Sequence, residues 1–152
     1  MTAAPKKLRH LVLILGDQLD ETASALADFD PKLDAVWMAE VREESTHIAS
    51  SKQRTALFLS AMRHFAQTLK AQGKHVVYSE LDDPANTGTL AGELTRAIEA
   101  LQPQALLMTA PGDWRVLQPL RAVATATHRT LEVGDETHSF TPALDLAVHA
   151  KT

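Results

Sequence analysis

Gly16-Asp17-Gln18 stands directly behind the unbroken apolar run Leu11-Val12-Leu13-Ile14-Leu15. An acid and an amide after a glycine offer acceptors and donors for a neutral, hydrogen-bonding ligand, such as a ribityl chain or a ring with imide edges. They do not suit a phosphate. There is one glycine where a dinucleotide fingerprint has three, no Walker-type lysine follows, and Asp17 would repel the anion. The plain alternative is that Asp17 only caps the next helix.

Glu40, Glu43 and Glu44 form a second group, with His47 close behind. Neighbouring carboxylates could do acid–base work or hold a metal, but most such groups are solvated loop acids. A single carboxylate accepting hydrogen bonds from a ring or a hydroxyl chain is the stronger reading. The third group is Pro111-Gly112-Asp113-Trp114-Arg115. Gly112 permits a close backbone approach, and Asp113 can cap a helix. Trp114 could stack on a planar ligand, although its spacing favours packing against the sheet.

Other chemistry lacks candidates. With no cysteine there are no disulfides, thiol redox chemistry or thiolate metal sites. The seven histidines show no metal-ligand spacing, and no Gly-x-Ser-x-Gly elbow is present. No catalytic residue and no metal ligand is therefore expected.

The elements that must position these residues alternate along the chain. Strands are expected at Leu11 to Leu15, Ala35 to Val41, His75 to Ser79, Ala105 to Thr109 and Thr130 to Val133. Between them the spacing predicts a short helix over Asp20 to Phe29 and a long one from about Ser51 to Gln72. Two more follow, one carrying Leu90, Leu94, Ile98 and Leu101, the other running up to about His128. Pro119 should kink or delay that last helix, because it lacks an amide donor. Such alternation gives an α/β fold, a Rossmann-like three-layer sandwich. Its five-stranded parallel sheet is expected in the order 3-2-1-4-5, with helices on both faces. Gly16 to Gln18 and Pro111 to Trp114 then flank the topological switch point, where open α/β sheets bind ligands.

The expected organisation is a tail over 1–9, the α/β domain over 10–134 and a C-terminal segment over 135–152. A formal net charge of −4 and evenly scattered acids argue against direct nucleic-acid binding. No apolar run is long enough to cross a membrane, and neither a signal peptide nor a membrane partner is expected. The expected compartment is the cytoplasm.

Four motifs in order carry a resemblance: Leu13-Ile14-Leu15-Gly16-Asp17-Gln18-Leu19, Glu40-Val41, Ser60-Ala61-Met62-Arg63-His64-Phe65-Ala66 and Pro111-Gly112-Asp113-Trp114-Arg115-Val116. From about Leu8 to about Phe140 the chain resembles the deoxyribodipyrimidine photolyase-related proteins, the iron–sulfur bacterial branch of the cryptochrome/photolyase superfamily, which is (6-4) photolyase-like. The resemblance is to the N-terminal antenna domain. It implies binding of a light-harvesting chromophore, 6,7-dimethyl-8-ribityllumazine, for DNA repair or photoreception. It places FAD and the iron–sulfur cluster only in a C-terminal helical domain outside these residues, and that domain is the expected partner. By position it assigns ring and ribityl contacts to Gly16, Asp17, Glu44 and His47. Surface otherwise covered by the helical domain would favour a homodimer. The rival reading is a nucleotide- or flavin-binding α/β module of another class, flavodoxin-like or stress-protein-like.

Overall fold

The computed structural model describes residues 8–16, 18–42, 52–111 and 114–134. Five strands, β1 (His10–Leu13), β2 (Asp34–Ala39), β3 (His75–Ser79), β4 (Ala105–Thr109) and β5 (Thr130–Gly134), form one all-parallel sheet in the order β3-β2-β1-β4-β5. The order and direction are those the sequence predicts.

β1 occupies the centre because its side chains are apolar on both faces. Leu11 lies between Ala35 and Leu106, and Leu13 between Trp37 and Met108. Successive strand residues point to opposite faces. Leu11, Leu13, Ala35, Trp37, Leu106 and Met108 therefore join one core cluster, and Val12, Ile14, Val36 and Met38 join the other.

Helices α2 (Leu90–Leu101) and α3 (Trp114–Ala126) cover the first cluster with Leu94, Ile98, Leu117 and Leu120. Helix α1 (Lys52–Ala71) covers the second with Met62, Phe65, Ala66 and Leu69. Those four residues recur at the i, i+3, i+4, i+7 spacing of one helical face. α1 stops at Gly73, whose φ of +88° is a left-handed conformation that other residues rarely adopt. Helices thus cover both faces, making the expected three layers.

One local expectation is corrected, and of the two outcomes expected at Pro119 the delay does not occur. Asp20 to Phe29 is not an α-helix; it holds only a 3-10 turn at Ser24–Leu26. Its amides bond three residues back, Ala23 to Asp20, Leu26 to Ala23 and Phe29 to Leu26. Asp20 Oδ1 also draws in the amide and hydroxyl of Thr22, a local turn that competes with helix. Pro119 does not delay α3, which begins at Trp114 and runs through it. The proline is exposed, while Leu117, Leu120, Val123 and Ala124 hold the helix to the sheet.

Candidate functional site

The carboxyl ends of β1, β4 and β5 are tied together by backbone and by one side chain. Ile14 continues the ladder beyond β1, its amide donating to the Trp37 carbonyl at 3.0 Å. The chain then turns, and the Gln18 amide bonds the Leu15 carbonyl at 2.9 Å. Across the switch point, Gln18 Nε2 donates to the carbonyls of Thr109 and Ala110, each at 3.0 Å. Ala110 in turn donates to Gly134 at 2.7 Å. The two lips of the crevice are therefore joined by Gln18. Its other amide atom, Oε1, is buried and has no hydrogen-bond partner among the described residues.

Gly16 is closely approached by α1. A Cβ built on it would lie 2.2 Å from Phe58 Cζ and 3.1 Å from Met62 Sδ. The space above its backbone belongs to α1. Trp114, whose spacing favours packing, is instead 64% exposed at the start of α3. It stands four residues past the Ala110 carbonyl that Gln18 holds. Asp17, Glu44, His47, Gly112 and Asp113 lie outside the described residues.

Glu40, at the end of β2, is fully buried, and its carboxylate is saturated by the protein itself. Arg63 of α1 binds it through Nε at 2.6 Å and Nη2 at 2.8 Å. The Tyr78 hydroxyl of β3 donates to Oε2, and the Leu81 amide to Oε1 at 2.9 Å. Each oxygen thus receives two donors, which fills its lone pairs. Asn86 Nδ2 adds bonds to the carbonyls of Glu40 and Glu80, fastening the β3–α2 connection to the same point. Burial alone would raise the Glu40 carboxyl, but the donors from Arg63, Tyr78 and Leu81 outweigh it and hold the group below its ordinary range. Burial and the bond to Glu40 push the Tyr78 hydroxyl well above its ordinary value.

A second buried acid, Glu93 of α2, takes the Thr87 amide at 2.8 Å and Arg96 Nη1 at 2.7 Å. Beside the Glu40 cluster, on the α1 side of β3, a cavity of about 300 Å³ is lined by Arg63, Gln67, Lys70, Tyr78, Glu80 and Asp83.

Of the expected site residues, Gly16 and Gln18 follow β1, Gln18 reaches across to the end of β4, and Trp114 opens the helix after β4. Glu40 holds the neighbouring strand end in place. Arg63, Tyr78, Asn86 and Phe58 are the residues that sequence reasoning did not single out as site members. The helical motif around Arg63 was their one signal.

A family model for deoxyribodipyrimidine photo-lyase-related protein matches residues 12–152. The chain belongs to that family. It is also 41% identical, over 119 residues, to a (6-4) photolyase of Agrobacterium fabrum. The match covers 78% of this chain and 24% of that relative, so the chain spans about a quarter of the photolyase it resembles. Among the described residues of this photolyase-related chain, no helix is long and apolar enough to cross a membrane.

Proposed function

We propose that this photolyase-related domain holds an antenna chromophore, 6,7-dimethyl-8-ribityllumazine, at the β1/β4 switch point. When bound, such a ring absorbs light and passes the excitation to the flavin of a helical photolyase domain. The chain's own residues do no bond-making; they bind and orient.

The observation that carries the reading is Gln18. Its Nε2 is fixed by two carbonyls, so Oε1 is presented in a set direction, buried and unpartnered among the described residues. A buried acceptor without a donor is costly. An imide N–H or a ribityl hydroxyl is the kind of group that satisfies it. Trp114, exposed at the first residue of α3, offers an aromatic side chain after the strand end that Gln18 holds. Glu40, with its oxygens filled, supports the floor rather than the ligand. The nucleotide or flavin alternative is weakened by the turn after β1, where Gly16-Asp17-Gln18 stands in place of a Gly-rich phosphate loop.

The test is a fluorescence and anisotropy titration of the purified chain with the lumazine. Saturable binding at micromolar ligand is expected. Gln18→Leu should weaken it by roughly tenfold, the loss of about one buried hydrogen bond. An unchanged signal across the titration refutes the antenna role. Equal binding by the variant would refute the assignment to Gln18 alone.

A further inference from the structure

Among the described residues β3 is an outer strand with a neighbour on one side only. The ladder shows which of its backbone groups face away. The Ser79 carbonyl accepts from the Glu40 amide at 2.8 Å, so Ser79 faces β2. Along a strand the amide and carbonyl of successive residues alternate sides. His75 and Val77 therefore also face β2, and Val76 and Tyr78 face outward. Among the described residues no element pairs with that outward edge.

Most proteins blunt such an edge with proline, lysine or a bulge. His75–Ser79 has neither proline nor lysine, and its register with β2 is continuous. The charges sit beyond its two ends and differ in sign. Lys74 precedes the strand, while Glu80, Asp82 and Asp83 follow it. The Lys74 ammonium is held in place, 2.7 Å from Gln72 Oε1 and 5.7 Å above the Phe29 ring. The cavity beside the strand is lined by charges of both signs, Arg63 and Lys70 from α1 with Glu80 and Asp83 from beyond β3.

A two-fold axis through Val77 brings this gradient against itself. Val77 then lies opposite Val77 of a second copy, Val76 opposite Tyr78, and Lys74 opposite Glu80. Val76 and Tyr78 carry the outward groups, so each of these pairs can exchange both of its N–H···O bonds, as an antiparallel ladder requires. Lys74 and Glu80 share the sheet face of Val76 and Tyr78, which puts opposite charges side by side at both ends of the contact. The geometry points to a homodimer formed by antiparallel β3–β3 pairing, which fuses the two sheets into one. The contact is isologous, because one edge supplies both halves. It stands independently of what the switch point binds.

Sedimentation velocity of the whole chain tests it, from roughly micromolar to millimolar protein, with Lys74→Glu, with Glu80→Lys, and with an equimolar mixture of the two variants. Circular dichroism and melting confirm that each variant is folded, and Glu80→Lys lies in an exposed turn. The parent should dimerise with rising concentration, and less at high salt. Each single variant places like charges opposite each other twice and should dimerise on the order of tenfold more weakly. In the mixture every facing pair is again of opposite sign, so mixed dimers should recover the parent's affinity. The proposal is overturned by a parent that stays monomeric throughout, by single variants that associate as the parent does, or by a mixture no tighter than its components.

Discussion

Arg63 grips both oxygens of Glu40, Nε at 2.6 Å from Oε2 and Nη2 at 2.8 Å from Oε1. A residue in the middle of α1 thereby fixes the end of β2, and through the same carboxylate Tyr78 of β3 and Leu81 behind it. Paired forks of this kind combine charge with a fixed geometry.

Removing the acceptor should cost more than removing the cation. Glu40→Leu leaves the Tyr78 hydroxyl and the Leu81 amide without their buried acceptor, an expected loss of about 2–4 kcal/mol. Arg63→Ala should cost about 1–2 kcal/mol, because solvent can reach the vacated position. The Arg63 side chain is 48% exposed, against 0% for Glu40. Urea unfolding with an unchanged m-value would measure both.

Acid should unfold the protein partly through these carboxylates. Burial works against the charged forms of Glu40 and Glu93, yet their donors win, and both groups titrate below the ordinary value of 4.5. A lowered native pKa means that the unfolded chain takes up protons first. The stabilisation is therefore complete above about 4.5 and is lost as the pH falls through the native value. Stability plotted against pH should drop below that point in the parent and drop less steeply in Glu40→Gln.

Tyr78 is the chain's single tyrosine, so tyrosinate absorbance reports on it alone. Burial first, and then the bond to Glu40, raise its pKa above the ordinary 10.0. The native protein should show no tyrosinate in the range where free tyrosine ionises. The signal should appear only with alkaline unfolding, since stability from a raised pKa persists below the ordinary value and fades above it. A smooth titration near 10 in the folded protein would contradict the buried hydrogen bond.

Gly16→Ala tests the contact between the first turn and α1. Its methyl would sit 2.2 Å from Phe58 Cζ, and the ring must swing away. Overpacking of this kind costs about 1–3 kcal/mol. The companion Phe58→Leu should relieve the clash, so the double variant should be more stable than Gly16→Ala alone. Thermal unfolding of the set checks this.

β3 and β4 were legible to the residue, because each is a short apolar run closed by a turn or a polar residue. The central place of β1 was legible too, in five apolar residues with no polar face. The segment after Gly16 was not. Leu19, Ala23, Leu26 and Phe29 fit a helical stripe, but Asp20 captures Thr22 and the segment closes only a 3-10 turn. At the site, Glu40 stands out in the sequence as an acid closing an apolar strand. Its partners lie 23, 38 and 41 residues along the chain at Arg63, Tyr78 and Leu81, where no local pattern announces a shared carboxylate. Trp114 departs from the packing its spacing favours for the converse reason, since spacing marks a helical face but not whether the first turn clears the sheet.

The central strand is also the one that must wait. β1 is made first, yet one of its two neighbours, β4, is Ala105–Thr109. While the intervening chain is synthesised, one side of Leu11-Val12-Leu13 has no mate, and parallel pairing over such a separation is slow to close. A nascent or fragmented chain lacking β4 would display a bare apolar edge, the surface most prone to misassembly. The strand that anchors the finished sheet is, during biosynthesis, its most vulnerable part.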